Sequence, residues 1–207
     1  MNNSISNKTI KGLVLVTILL VVNEVVFSQK DYHRGYIITN DSDTLYGLVK
    51  DRKPQPFGEI YKKIRFRDKG LFAKKLAPDH IKGYNNGTDR FESLWLDARG
   101  NFFREDYFSI PGSGERQFLK IISKGYLSYY HMEYVDPESF YIDFIPFFKR
   151  EDETNLVRVT QGILGLKKKI LAEYFIDCPE LVEKILNKEI NEPYEVALIY
   201  NSWKKNY

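Results

Sequence analysis

The chain reads as an α+β protein: an antiparallel, aromatic-rich sheet, curved or partly barrel-like, followed by about three C-terminal helices. Three observations carry this. Short β-rich runs between turn residues fill the stretch from about Gly35 to Thr160. Helical periodicity of comparable length begins only after Gly162, and strands before helices is an α+β order, not an alternating βαβ one. The chain also holds 15 Tyr, 14 Phe and 2 Trp among 207 residues, side chains that favour pleated, half-buried surfaces.

The elements follow in order. Gly35–Thr39 and Thr44–Val49 flank the turn-forming Asn40-Asp41-Ser42-Asp43 and read as a hairpin. Pro54 and Pro56 interrupt, since proline cannot donate to a ladder. Ile60 to Arg67 alternates, with Ile60, Ile64 and Phe66 on one face and Tyr61, Arg65 and Arg67 on the other. Leu71 to Leu76 is the next run. Ile81–Tyr84 and Arg90–Leu96 flank Asn85-Asn86-Gly87, where Asn-Gly tolerates positive φ. Apolar residues on both faces of Phe91–Leu96 place that strand centrally. Phe118–Ser123 and Tyr126–Val135 pair around Lys124-Gly125, Phe140–Phe148 is an aromatic strand with an edge or bulge at Pro146, and Thr154–Thr160 is the last. Ile163, Leu166, Ile170, Leu171, Tyr174 and Phe175 then recur at helical steps. Asp177-Cys178-Pro179-Glu180 reads as a capped helix start, and a third helix opens at Asn191-Glu192-Pro193.

Residues 1–28 read as a secretory signal peptide. Lys8 and Lys11 precede an apolar run from Gly12 to Val22, and Val26 and Ser28 suit the −3 and −1 positions of a cut. That run is too short to span a bilayer, so no membrane span is expected after cleavage. Removing 28 of 207 residues leaves 179, divided into an antiparallel β domain over 29–161 and a helical segment over 162–207 packed on the sheet. The removed part carries two Lys and one Glu, so the net charge of +3 falls to +2. Such balance excludes a strong general attraction to nucleic acid. The basic stretches Lys50-Asp51-Arg52-Lys53, Lys62–Arg67 and Lys167–Lys169 accordingly read as solvated faces. Cys178, the one cysteine, reads as a buried structural thiol.

Catalytic signatures are thin. His33, His80 and His131 are scattered, and neither Asp79-His80 nor His131-x-Glu133 supplies enough ligands for a metal site. Asp41-Ser42-Asp43-Thr44 runs into Leu45 and Tyr46, which spoils a calcium loop. Gly112-Ser113-Gly114 is not a nucleophile elbow. Asp97, Glu105, Asp106 and Asp143 could supply a glycosidase-like pair, but only a structure gives their separation. No catalytic residue, metal or cofactor is therefore assigned.

Gly35-Tyr36-Ile37-Ile38-Thr39 followed by Asp43-Thr44-Leu45-Tyr46-Gly47-Leu48-Val49 resembles the opening of exported proteins of Bacteroidota-type bacteria, with a G-x-I-x-T…D-T-L-x-G-x-V hairpin after the signal peptide. Tyr174-Phe175-x-Asp177-Cys178-Pro179 and Tyr200-Asn201 resemble the same group. The resemblance implies export to the periplasm or beyond, and no activity. The expected role is a non-enzymatic binding or structural module of the cell envelope, with a carrier of lipid or small apolar ligands second and a glycan-directed hydrolase third. Its partner would be an envelope protein, a glycan or a lipid. Trp95, Tyr126, Tyr130 and Tyr134 are the candidate ligand-binding residues, as flat rings on a sheet face.

Overall fold

The computed structural model describes residues 31–55, 60–70, 72–101, 104–160 and 165–206. The leader expected over 1–28, Leu71 and Ile163 lie outside this set. Among the described residues the strands are β1 (His33–Thr39), β2 (Thr44–Lys50), β3 (Ile64–Arg67), β4 (Lys74–Leu76), β5 (Ile81–Asn85), β6 (Arg90–Asn101), β7 (Arg104–Phe108), β8 (Glu115–Ser123), β9 (Leu127–Val135), β10 (Ile142–Arg150) and β11 (Asn155–Arg158). They form one antiparallel sheet in the order β4-β3-β2-β1-β5-β6-β7-β11-β10-β9-β8, and β8 pairs back onto β6. That pairing closes β6 to β11 into a six-stranded barrel, with β1 to β5 as a sheet extending from it. This is the predicted α+β class, its curvature carried to closure.

Strand β6 makes the junction. It pairs with β5 over Arg90–Glu92, with β8 over Phe91–Leu96 and with β7 over Asp97–Asn101. A strand of ordinary length would have served one neighbour per edge; twelve residues let β6 belong to both the sheet and the barrel. Sequence reading ended this strand at Leu96 and assigned no strand to 104–108. Local turns follow their chemistry. Asn86 Oδ1 accepts from the N–H groups of Thr88 and Asp89, at 3.0 and 2.8 Å, and Gly87 takes a φ of 98°. Pro146 pairs with β9 at His131 and is interior, not on an edge. Its ring nitrogen faces the β11 side where that strand has ended, and its carbonyl accepts from Val159 N–H at 3.0 Å.

Alternation sorts the barrel strands between two cores. Inward-facing Leu94, Leu96, Tyr107, Leu119, Ile121, Tyr130, Met132, Ile145, Phe147 and Leu156 fill the barrel, with the Tyr107 and Phe147 rings edge-to-face at 4.9 Å. Outward-facing Leu127, Tyr129 and Phe148 meet the helices α1 (Lys168–Tyr174), α2 (Pro179–Leu186) and α3 (Pro193–Lys204) through Leu171, Phe175, Leu181, Ile185, Val196 and Tyr200. A third core joins Ile37, Val49, Ile64, Phe66, Tyr84 and Phe91 of the extending sheet to Phe118 of β8.

Helix α3 docks by a side chain that imitates a strand. Asn201 Oδ1 accepts from Leu127 N–H and its Nδ2 donates to Leu127 C=O, both at 2.8 Å. Gly125 leaves the room, since a Cβ there would meet the Asn201 amide at 2.7 Å. Helix α1 is shorter than its periodicity predicts, because Leu166 is held in a bridge to Thr160. Cys178 is buried before Pro179, as read from the sequence. Asp177 does not cap α2. It accepts instead from Arg150 at 2.7 Å and from the Tyr200 hydroxyl at 2.6 Å, and a charge-assisted pair outweighs a cap bond. Among the described residues no helix is long and apolar enough to cross a membrane.

Candidate functional site

Strands β8 and β9 pair next to their turn and then part. Their ladder runs through Ser123–Tyr129, Ile121–Tyr130 and Lys120–His131 and stops there, although both strands continue. The parting leaves Phe118 C=O without a partner on β9, and Arg52 supplies one. Following β2, the chain carries Arg52 across the outer faces of β8 and β9, where its Nη1 donates to Phe118 C=O at 3.3 Å and its Nη2 meets Glu133 of β9 at 2.6 Å. Its Nε donates to the Tyr84 hydroxyl at 3.0 Å, and the guanidinium lies 4.7 Å from the Phe91 ring centre. Tyr84 in turn donates to Asp51, whose other oxygen accepts from Asn86 Nδ2 at 2.6 Å.

The Arg52 side chain is only 5% exposed and Glu133 16%. This overturns the solvated reading at Arg52, while Lys53 beside it is exposed as that reading expects. Arg52 is a buried, multiply held cation that props two strands apart. Burial works against its charge, but Tyr84, Asp51 and Glu133 together hold its pKa above the ordinary value. Burial raises the pKa of Glu133, with Arg52 opposing. The Tyr84 hydroxyl is pushed well up by burial and by Asp51, so it stays a protonated donor.

Beside this prop lies a cleft of about 360 Å³, bordered also by Ile60, Tyr61, Lys62 and Pro78. Leu96, Phe118, Met132 and Val135 form its apolar wall, with Arg116, Gln117 and Tyr134 as further polar groups. A few polar groups set in an apolar wall of this size is the ordinary form of a small-molecule site. Glu133 is the one carboxylate among the described lining residues.

The four residues chosen from sequence do not converge. Tyr134 lines the cleft and donates to Asp143 at 3.0 Å. Trp95 lies on the outer face of β6 with the Arg116 guanidinium 6.0 Å from its ring, adjacent to the cleft and outside its lining. Tyr130 is buried in the barrel and donates to Glu92 at 2.7 Å. Tyr126 packs near Tyr200 and donates to Asp152 at 2.9 Å. Tyr126 and Tyr130 border a separate, more polar pocket of about 570 Å³ with Glu92, Lys124 and Lys149. There Lys124 and Glu92 already satisfy each other, and Tyr130 bonds both.

The other candidate groups are engaged singly. Asp97 accepts from Ser113 Oγ at 2.6 Å and pairs with Arg99, and the Ser113 bond first, then Arg99, hold its carboxyl low. His131 shares a hydrogen bond with the Tyr129 hydroxyl at 2.8 Å and stacks on Phe144 at 3.7 Å. Among the described residues no three His, Cys, Asp or Glu stand together to hold a metal ion. Burial pushes the Cys178 thiol up, away from the reactive thiolate. Arg52, Arg116 and Glu133 carry the site and were missed. The one sequence signal was Asp51 beside Arg52; Glu133, the second acid, comes near only in space. Comparison with protein-family models, with curated proteins and with solved structures gave no match in any of the three.

Proposed function

We propose that the protein is exported to the cell envelope, in the periplasm or outside the cell, and acts there as a non-enzymatic binding module through the Arg52 cleft. One observation carries the binding reading: β8 and β9 part although both continue, and a buried arginine with fixed partners holds the gap. A gap so braced is formed before any ligand arrives, which lowers the ordering cost of binding. Export rests on the leader pattern of residues 1–28 and on the resemblance of the first hairpin to exported Bacteroidota-type proteins.

A non-enzymatic role is supported by the state of the groups present. Glycan hydrolysis of the usual kind needs two carboxylates across one cleft, whereas Glu133 stands alone among the described lining residues and is held by Arg52. The carrier reading is favoured by the apolar wall, in a changed form. Interlocking side chains fill the barrel, so apolar cargo would lie in the cleft. Native mass spectrometry of protein purified gently from its own envelope tests the proposal. The expected species is the chain from Gln29 with a retained small-molecule mass. A bare chain would sink the binding reading, and a chain found uncut in the cytoplasm would sink export.

A further inference from the structure

We propose, building on the cleft as a binding site, that it takes a ligand with a single oxyanion head on an apolar body, and that Arg116 receives the head. Among its described lining residues the cleft carries three cations against one acid. Arg52 is neutralised by Glu133 and by Asp51, and Lys62 pairs with Glu115 at 2.9 Å on an open surface. Arg116 differs from both. No carboxylate pairs with it among the described residues. One terminal nitrogen donates two long bonds, at 3.4 Å to Ile81 C=O and 3.3 Å to Ser93 C=O. Its Nε is buried and finds no acceptor.

A buried donor left unsatisfied is costly, and a guanidinium is most fully satisfied by a planar oxyanion that accepts two parallel bonds. The Trp95 ring beside the guanidinium orients that fork, which gives Trp95 a positioning role. The rest of the ligand is set by the apolar wall of Leu96, Phe118, Met132 and Val135. A cleft of 360 Å³ equals about a dozen waters at ~30 Å³ each, room for a chain of about ten carbons. Carboxylate and phosphate heads share this chemistry.

The test is isothermal titration of the mature chain with decanoate, decyl phosphate, decanol and inorganic phosphate. At least one of the two amphiphilic anions binds about tenfold or more tighter than decanol, and inorganic phosphate binds far more weakly than either. The better of the two anions tells carboxylate from phosphate. Arg116→Gln abolishes the preference for charge, so that the anions bind no tighter than decanol does to the same variant. Arg116→Lys, which keeps stem and charge, retains part of the preference and guards against a folding defect. Equal binding of decanol and the anions, or a preference that survives Arg116→Gln, overturns the head-group assignment while leaving the cleft reading intact. Inorganic phosphate binding as tightly as decyl phosphate overturns the apolar body. No binding by any probe overturns both the inference and the reading on which it rests.

Discussion

Two buried arginines hold this molecule together, and they do so differently. Arg52 joins the extending sheet to the barrel with partners Tyr84, Phe118 and Glu133, each 32 or more residues away in sequence. Arg150 joins the barrel to the helices. Its Nη1 meets Glu153 three residues on, and its Nη2 reaches Tyr174 C=O at 2.6 Å and Asp177 at 2.7 Å. Both lie over aromatic rings, Arg150 at 4.5 Å from Tyr174 and 5.1 Å from Tyr200. Arg150 binds the last carbonyl of α1, where the helix dipole favours a cation, and so anchors an element that is already formed. Arg52 takes the place of a missing ladder and keeps two strands apart. The first arginine shapes a cleft; the second fastens a layer.

The largest expected effect is on Arg52. Arg52→Met leaves Glu133 and Asp51 in a buried site without their cation, and should cost about 3–5 kcal/mol by urea denaturation. A loss below about 1 kcal/mol would mean that the acids rehydrate freely and that the gap is not braced. Arg150→Met should cost less, about 2–3 kcal/mol, because Glu153 and Asp177 are closer to solvent. Hydrogen exchange sharpens the contrast: protection should fall first in α1 and α2 and stay unchanged in β1 to β5. Equal loss in both regions would erase the distinction between the two arginines.

The smallest effect is a pH dependence confined to the Arg52 side. Burial, with Lys120 nearby, pushes the His131 imidazole down from its usual 6.5 to about 4. The unfolded chain then binds more protons than the native one between those values. His131 therefore leaves stability untouched above about pH 6.5 and lowers it progressively as pH falls towards 4. In thermal melts at about pH 7 and about pH 4.5, His131→Gln should lose less stability on acidification than the parent protein. Equal losses would show that His131 titrates freely in the native state.

Much of the fold was legible from local chemistry. Asn85-Asn86-Gly87 marked a turn whose glycine does take positive φ, and Ile64 and Phe66 alternate with exposed Arg65 as their spacing implies. Leu171, Phe175, Leu181 and Ile185 form a buried helical stripe, although Ile170, placed with Leu171 by periodicity, is exposed. Strand β7 was missed because Arg104-Glu105-Asp106 breaks the apolar pattern; pairing to β6 and β11 makes it a strand. Of the site, Tyr134 was found as an aromatic on a strand, Arg52 read as surface charge, and Arg116 carried no signal at all.

Sequence alone determined the order of strands and helices, most turns, the apolar faces and the buried place of Cys178, because each depends on residues within a few positions of one another. Tertiary structure decided where the sheet closes, where β8 and β9 part, and which cations are buried. Closure depends on β8 returning to β6 and on β7 meeting β11, pairings between runs that many alternative registers would also satisfy. A charge beside another in sequence reads as solvated until a distant acid, here Glu133 of β9 for Arg52, offsets the cost of its desolvation.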